Sequence, residues 1–142
     1  MELNQIYTEL VREHSMNSSN KHPLENKTDS QMGVNPSCGD ELKLNVLIED
    51  GIIKDASYEG IGCAISQASA SMMIDVIKGK SLEEAKKDVQ IFLGMIQGED
   101  LSEDDLIKIG DAAVFESISK LPMRVKCAVL AWRTLDKILD TK

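Results

Sequence analysis

The sequence predicts an α+β fold: a small, mostly antiparallel three-stranded sheet, helices packed on one side, and a metal site at one exposed end. Three observations point there. An alternating apolar row, Leu42, Leu44, Val46 and Ile48, runs into a turn and a second β-like segment. From Cys63 onward the apolar spacing switches to the helical period. Cys38, Cys63 and Cys127 are scattered along the chain, so only folding can assemble them.

Composition narrows the class. With 142 residues, the chain is long enough for one compact domain spanning 1–142. Its hydrophobic content of 42% fits a globular protein. Aromatics are only 4%, so Leu, Ile, Val, Met and Ala must fill the core. A net charge of −8 repels phosphate backbones and anionic lipid. Nucleic acid and membrane partners are therefore not expected. No apolar run approaches the ~20 residues of a membrane span, and "MELNQIYTEL" lacks the pattern of a signal peptide. An odd number of distant cysteines is not a disulfide framework. A reducing, cytoplasmic setting is the expectation.

The elements follow in order. Residues 2–14 read as a helix, with Leu3, Ile6, Tyr7 and Leu10 on one face. Residues 15–30 are polar and aperiodic, which predicts a mobile loop. His14 and His22, on or near it, read as surface histidines. Gln31–Val34 reads as a short edge strand. The hairpin that follows has two registers. A two-residue Asp50-Gly51 loop sets Ile53 and Asp55 beside the apolar row. A three-residue Glu49-Asp50-Gly51 loop sets Ile52, Ala56 and Tyr58 there, buries more apolar surface, and is preferred. Asp40 then faces Gly60, and Cys38 faces Gly62, at one end of the sheet.

Next comes an Ala/Ser-rich helix with Cys63 in its first turn, ending at Gly79. Its Met72-Met73 pair reads as core. Ser66, Ser69 and Ser71 read as small residues for close packing. Ser81 and Glu84 form a capping box before a helix bearing Val89, Phe92 and Ile96. Ser102 opens an acidic, solvated stretch, and Asp111 is placed as the cap of a short helix. Pro122 starts the last helix, whose stripe is Val125, Val129, Trp132, Leu135 and Leu139.

The hairpin draws Cys38, Asp40 and Cys63 together. The partial positive charge of a helix N-terminus suits a negatively charged sulfur at Cys63. Cys127 also lies near a helix start, with Arg124 three residues earlier on the same face. Three thiolates and a carboxylate make a tetrahedral zinc set, or hold a small iron–sulfur cluster. The plainer readings also stand. Cysteines in an Ala-rich helix are often just buried small residues, and "NPSCGD" is composed of turn formers.

The motifs "NPSCGD", "YEGIGCAISQASASMM", "GKSLEEA" and "KCAVLAW" resemble the IscU/SufU iron–sulfur cluster assembly proteins over nearly the whole chain. By this resemblance the metal ligands are Cys38, Asp40, Cys63 and Cys127. IscU-type members carry a histidine just before the third cysteine, where this chain has Lys126. The stretch between Cys63 and Cys127 is also longer, which makes roughly 94–115 an insertion of the SufU branch. That branch implies bound Zn2+, persulfide sulfur accepted from a SufS-type cysteine desulfurase, and delivery to the SufBCD machinery. The acceptor position matches Cys38, which sits on a loop beside Gly39, where backbone change costs least. Arg124 is assigned an assisting role facing the freed thiolate. The alternatives are an IscU-like scaffold carrying iron or a [2Fe–2S] cluster, and a structural zinc domain. The family's "NPRN"-like segment after the first helix is "MNSSN" here, so the N-terminal contact surface differs.

Overall fold

The computed structural model describes residues 3–17 and 19–142. In chain order these form α1 (Leu3–Met16), β1 (Asp29–Asn35), β2 (Asp40–Glu49), β3 (Ile52–Ile61), α2 (Ala64–Ile77), α3 (Leu82–Ile96) and α4 (Glu103–Lys108). A 3₁₀ segment (Gly110–Ile118) and α5 (Pro122–Asp140) follow. The sheet is antiparallel in the order β1-β2-β3. Helix α5 packs across β1 and β2, and α2 lies beside β3. The expected α+β architecture is the one found. Among the described residues no helix is long and apolar enough to cross a membrane.

The core forms where the inward row of the sheet, Leu42, Leu44, Val46, Ala56 and Tyr58, meets the apolar faces of the helices. Met72 and Met73 lie inside it, as expected. The few aromatics gather at one junction. Phe92 stacks on Trp132 with ring centroids 4.3 Å apart, and Phe115 sets its edge against both Phe92 and Tyr7. This cluster ties α1, α3, the 3₁₀ segment and α5 to one another.

The hairpin register departs from expectation. The turn is the two-residue Asp50-Gly51 loop, with φ of 55° and 72°. Positive φ at both positions is the type I′ geometry that matches strand twist. A bulge then separates Leu47, opposite Asp55, from Ile48, opposite Ile53. It lets Ile53 and Ala56, three residues apart, both point inward with no exposed surface. The apolar burial behind the three-residue loop is thus achieved by a bulge instead. Beyond it Leu42 faces Gly60 and Glu41 faces Ile61. Gly60 is therefore not opposite Asp40, and the end of β2 meets the chain next to Cys63.

Three further expectations change. His14 is not a surface residue. It is 9% exposed, its Nε2 donates to Asp111 Oδ2 at 3.1 Å, and its Nδ1 lies 3.1 Å from Ser71 Oγ. Asp111, engaged by His14, caps no helix, and Gly110–Ile118 winds as 3₁₀. The 15–30 segment is fastened at several points. Asn20 accepts the Tyr58 N–H at 2.9 Å and donates to Ser71 O and Asp75 Oδ1, while Leu24 is buried.

Candidate metal centre

Asn35 and Asp40 are directly opposed at the end of the β1–β2 pair. They form the base of a four-residue turn, Pro36 to Gly39, that carries Cys38. The Cys38 N–H closes this turn on Asn35 O at 3.2 Å. Asp40 is fully buried, and a buried carboxylate needs partners to offset its lost hydration. It has three. Cys63 N–H donates to Oδ1 at 2.9 Å and the Ser66 hydroxyl donates to Oδ1 at 3.1 Å. Asn35 Nδ2 donates to Oδ2 at 3.3 Å. The backbone passes close at Gly62, where a Cβ would lie 2.4 Å from Ser66 Oγ and 3.0 Å from Asp40 Oδ1. No other residue fits there without displacing the carboxylate's partners.

Cys63 is the N-cap residue of α2, one position before the first turn where it was expected. Its sulfur accepts the Ser66 N–H at 3.5 Å, so it fills the place usually taken by a capping oxygen. Cys127 projects from the second turn of α5 and is 3% exposed. Its thiol donates to Cys38 Sγ at 3.1 Å, and Asn35 Nδ2 approaches its sulfur at 3.7 Å. Burial pushes the Cys127 thiol far above the ordinary cysteine range. Contacts with the Cys38 and Cys63 thiols and the Asp40 charge act in the same direction.

One ligand atom each from Cys38, Asp40 and Cys127 lies within 4.8 Å of the other two. Among the described residues this trio is the group placed tightly enough to share an ion. Cys63 borders the trio, adjoining Asp40 through its N–H and Cys127 through its thiol. Arg124 is exposed and lies near the Tyr7 phenol. Burial raises the Tyr7 pKa, Arg124 opposes the shift, and the Cys63 and Cys127 thiols add to it. Tyr7 and Arg124 line a groove of ≈ 410 Å³ that passes Ala64. Lys126 is exposed, and the acidic stretch around Ser102 is largely solvated, as read from the sequence.

Sequence reasoning missed Asn35 and Ser66. Asn35 stands inside the quoted "NPSCGD" motif, and its position opposite Asp40 was the available signal. Ser66 was read as a packing residue, yet it joins Asp40 to the helix cap. Ser69 likewise accepts from Trp132 Nε1 at 3.0 Å while donating to Ala128 O.

A thiol from the β1–β2 turn, a thiol from α5 and a buried carboxylate gathered at one end of a small sheet, with a third thiol capping α2, define a thiol-rich centre of the sulfur- and metal-handling kind. The chain belongs to the family described as the NifU-like N terminal domain, whose profile matches residues 6–128. It is 42% identical over 135 residues to the zinc-dependent sulfurtransferase SufU of Bacillus subtilis, covering 95% of this chain and 90% of that protein. It is 38% identical over 134 residues to the iron–sulfur cluster assembly scaffold protein IscU of Thermotoga maritima, covering 94% and 92%. The crystal structure of FiSufU, a SUF-system protein of Fervidobacterium islandicum, superposes with a TM-score of 0.88 at 38% identity, over 96% of this chain and 98% of that one. The resemblance drawn from the motifs is therefore borne out.

Proposed function

We propose that this protein is a zinc-dependent sulfur acceptor of the SufU type, taking persulfide sulfur from a SufS-type cysteine desulfurase and passing it to the SufBCD machinery. The observation that carries the reading is the convergence of Cys38, Asp40 and Cys127, with Cys63 beside them. The donor set fits zinc. Three sulfurs and one carboxylate oxygen are tetrahedral zinc ligands, and the set contains no histidine. Cys38, Asp40, Cys63 and Cys127 would hold the ion, which would keep its coordinating thiols deprotonated.

The chain's own residues account for the rest. Cys38 is on a turn and partly exposed, so its sulfur can reach a partner's. Its thiolate attacks the outer sulfur of the desulfurase persulfide, the S–S bond breaks, and the desulfurase cysteine leaves as a thiolate. The new persulfide stays on Cys38. Arg124, in the groove that passes Ala64, would supply positive charge to the incoming sulfur. Val34 and Ile61, at the strand ends beside the site, are more than half exposed and offer apolar area to a docking partner.

Likeness to IscU supports a second reading, a scaffold for a [2Fe–2S] cluster. Desulfurase turnover with and without this protein separates the proposal from a purely structural zinc domain. Turnover rises severalfold if the proposal is right and is unchanged if it is wrong. Metal analysis with visible absorption separates it from the scaffold. One zinc in a colourless protein is expected. A stoichiometric coloured cluster without zinc, after anaerobic and iron-replete purification, overturns the zinc assignment.

A further inference from the structure

On the reading of the site as a zinc centre, we infer that Asn35 is a positioning residue: its side-chain amide aims both the free oxygen of Asp40 and the sulfur of Cys127 at the ion. The two oxygens of Asp40 are not equivalent. Oδ1 faces two donor groups, the Cys63 N–H at 2.9 Å and the Ser66 hydroxyl at 3.1 Å, whose one hydrogen is shared with Cys63 O at 3.0 Å. Two donors fill the two acceptor positions of an sp² oxygen. Oδ2 takes a single, longer bond from Asn35 Nδ2 at 3.3 Å and keeps one lone pair. Oδ2 is therefore the oxygen that can ligate.

The same Nδ2 is 3.7 Å from Cys127 Sγ, 92 positions away in sequence, so one NH2 group touches two ligand residues from different elements. An amide NH2 has two hydrogens, one for each acceptor. Asn35 is itself buried, at 7% exposure, and fixed by its place opposite Asp40 at the strand end. Its backbone carbonyl also accepts the Cys38 N–H. Asn35 thus touches three of the four candidate ligand residues and supplies none of the ligand atoms. Outer partners of this kind orient ligands, and their loss typically costs 10–100-fold in metal affinity. Asn35→Ala removes the amide. Asn35→Asp keeps the shape and places a carboxylate against Asp40 and Cys127.

The test is a double-mutant cycle on the purified full chain, with zinc affinity measured by chelator competition. Asn35→Ala is expected to weaken zinc binding about tenfold or more, and Asn35→Asp by at least as much. In an Asp40→Ala background the effect of Asn35→Ala is expected to shrink severalfold. Cobalt-substituted Asn35→Ala should keep its sulfur-to-cobalt absorption with shifted d–d bands, because the ligands stay but their aim changes. A merely structural role would lower the metal-free melting temperature, leave the cobalt bands in place, and act equally with and without Asp40. That pattern overturns the inference, as does zinc affinity within twofold of wild type in both Asn35 variants. Failure of the wild-type chain to bind zinc would instead count against the underlying zinc reading.

Discussion

The backbone N–H of Cys63 donates to Asp40 Oδ1 at 2.9 Å, joining the start of β2 to the cap of α2. Asp40 is thus a structural hub as well as a candidate ligand. Asp40→Ala takes the acceptor from the Cys63 N–H and one acceptor each from the Ser66 hydroxyl and the Asn35 amide, which keep Cys63 O and Cys127 Sγ; a buried group left unpaired costs about 1–3 kcal/mol. Asp40→Asn keeps an oxygen at Oδ1 and should cost less. Thermal unfolding of the two metal-free variants checks this, with Asn melting above Ala. Sulfur acceptance should fall in both. Acceptance at the wild-type level in either would remove Asp40 from the chemistry.

Cys127 gives a pH dependence. Burial raises its pKa above that of an unfolded cysteine, about 8.5. Below that pH both states keep the proton and this site sets no slope. Above it the unfolded chain releases a proton that the folded one retains, so metal-free stability falls by at most about 1.4 kcal/mol per pH unit. Cys127→Ser should flatten that slope. Since ligation requires the thiolate, zinc binding should release protons and tighten as pH rises through neutrality. Calorimetry in buffers of different ionisation enthalpy measures the release.

On the proposed zinc reading, the ion should also stabilise the fold, because its candidate ligands come from the β1–β2 turn, the start of β2, the cap of α2 and α5. Cys63→Ser and Cys127→Ser are each expected to lower zinc content and melting temperature together. A variant that loses its zinc and melts at the wild-type temperature would show that the hydrophobic core holds without the ion.

His14 pins α1 to two other elements, through Ser71 of α2 and Asp111 of the 3₁₀ segment. His14→Ala should destabilise by about 1–3 kcal/mol. The loss should appear first as faster hydrogen exchange in α1, with the sheet less affected. Uniform loss of protection across the chain would mean that α1 unfolds only with the whole.

Much of the fold could be read from local pattern. The Ser81–Glu84 capping box is present as both reciprocal bonds, and Pro122 opens α5, because such signals act within one turn. The hairpin register was harder. Asp50-Gly51 signalled a two-residue turn while apolar burial argued for three, and a bulge with no sequence signature satisfies both. The convergence of Cys38 with Asp40 was legible, since the hairpin carries it. Asn35 and His14 were not. Their partners, Cys127 and Ser71, lie 92 and 57 positions away. A polar residue in a turn or an amphipathic helix reads as solvated until the packing is known.

The last prediction concerns which thiol accepts sulfur, and the three backbone settings rank them. Cys127 is buried in the second turn of α5 among core residues, so moving it disturbs the helix. Cys63 caps α2 and its sulfur holds the Ser66 N–H; withdrawing it leaves that donor open. Cys38 is on a four-residue turn that ends at Gly39, φ 70°, and among the described residues it is held by the Cys38–Asn35 closure and the Cys127 thiol contact. The least structure is lost when Cys38 moves outward. Mixing the zinc-loaded protein with desulfurase and cysteine should therefore add one sulfur, a mass gain of about 32 Da, to the peptide containing Cys38. Cys38→Ser should abolish the gain while retaining most of its helical structure. Extra sulfur on Cys63 or Cys127 in the zinc-loaded wild-type protein would sink the assignment.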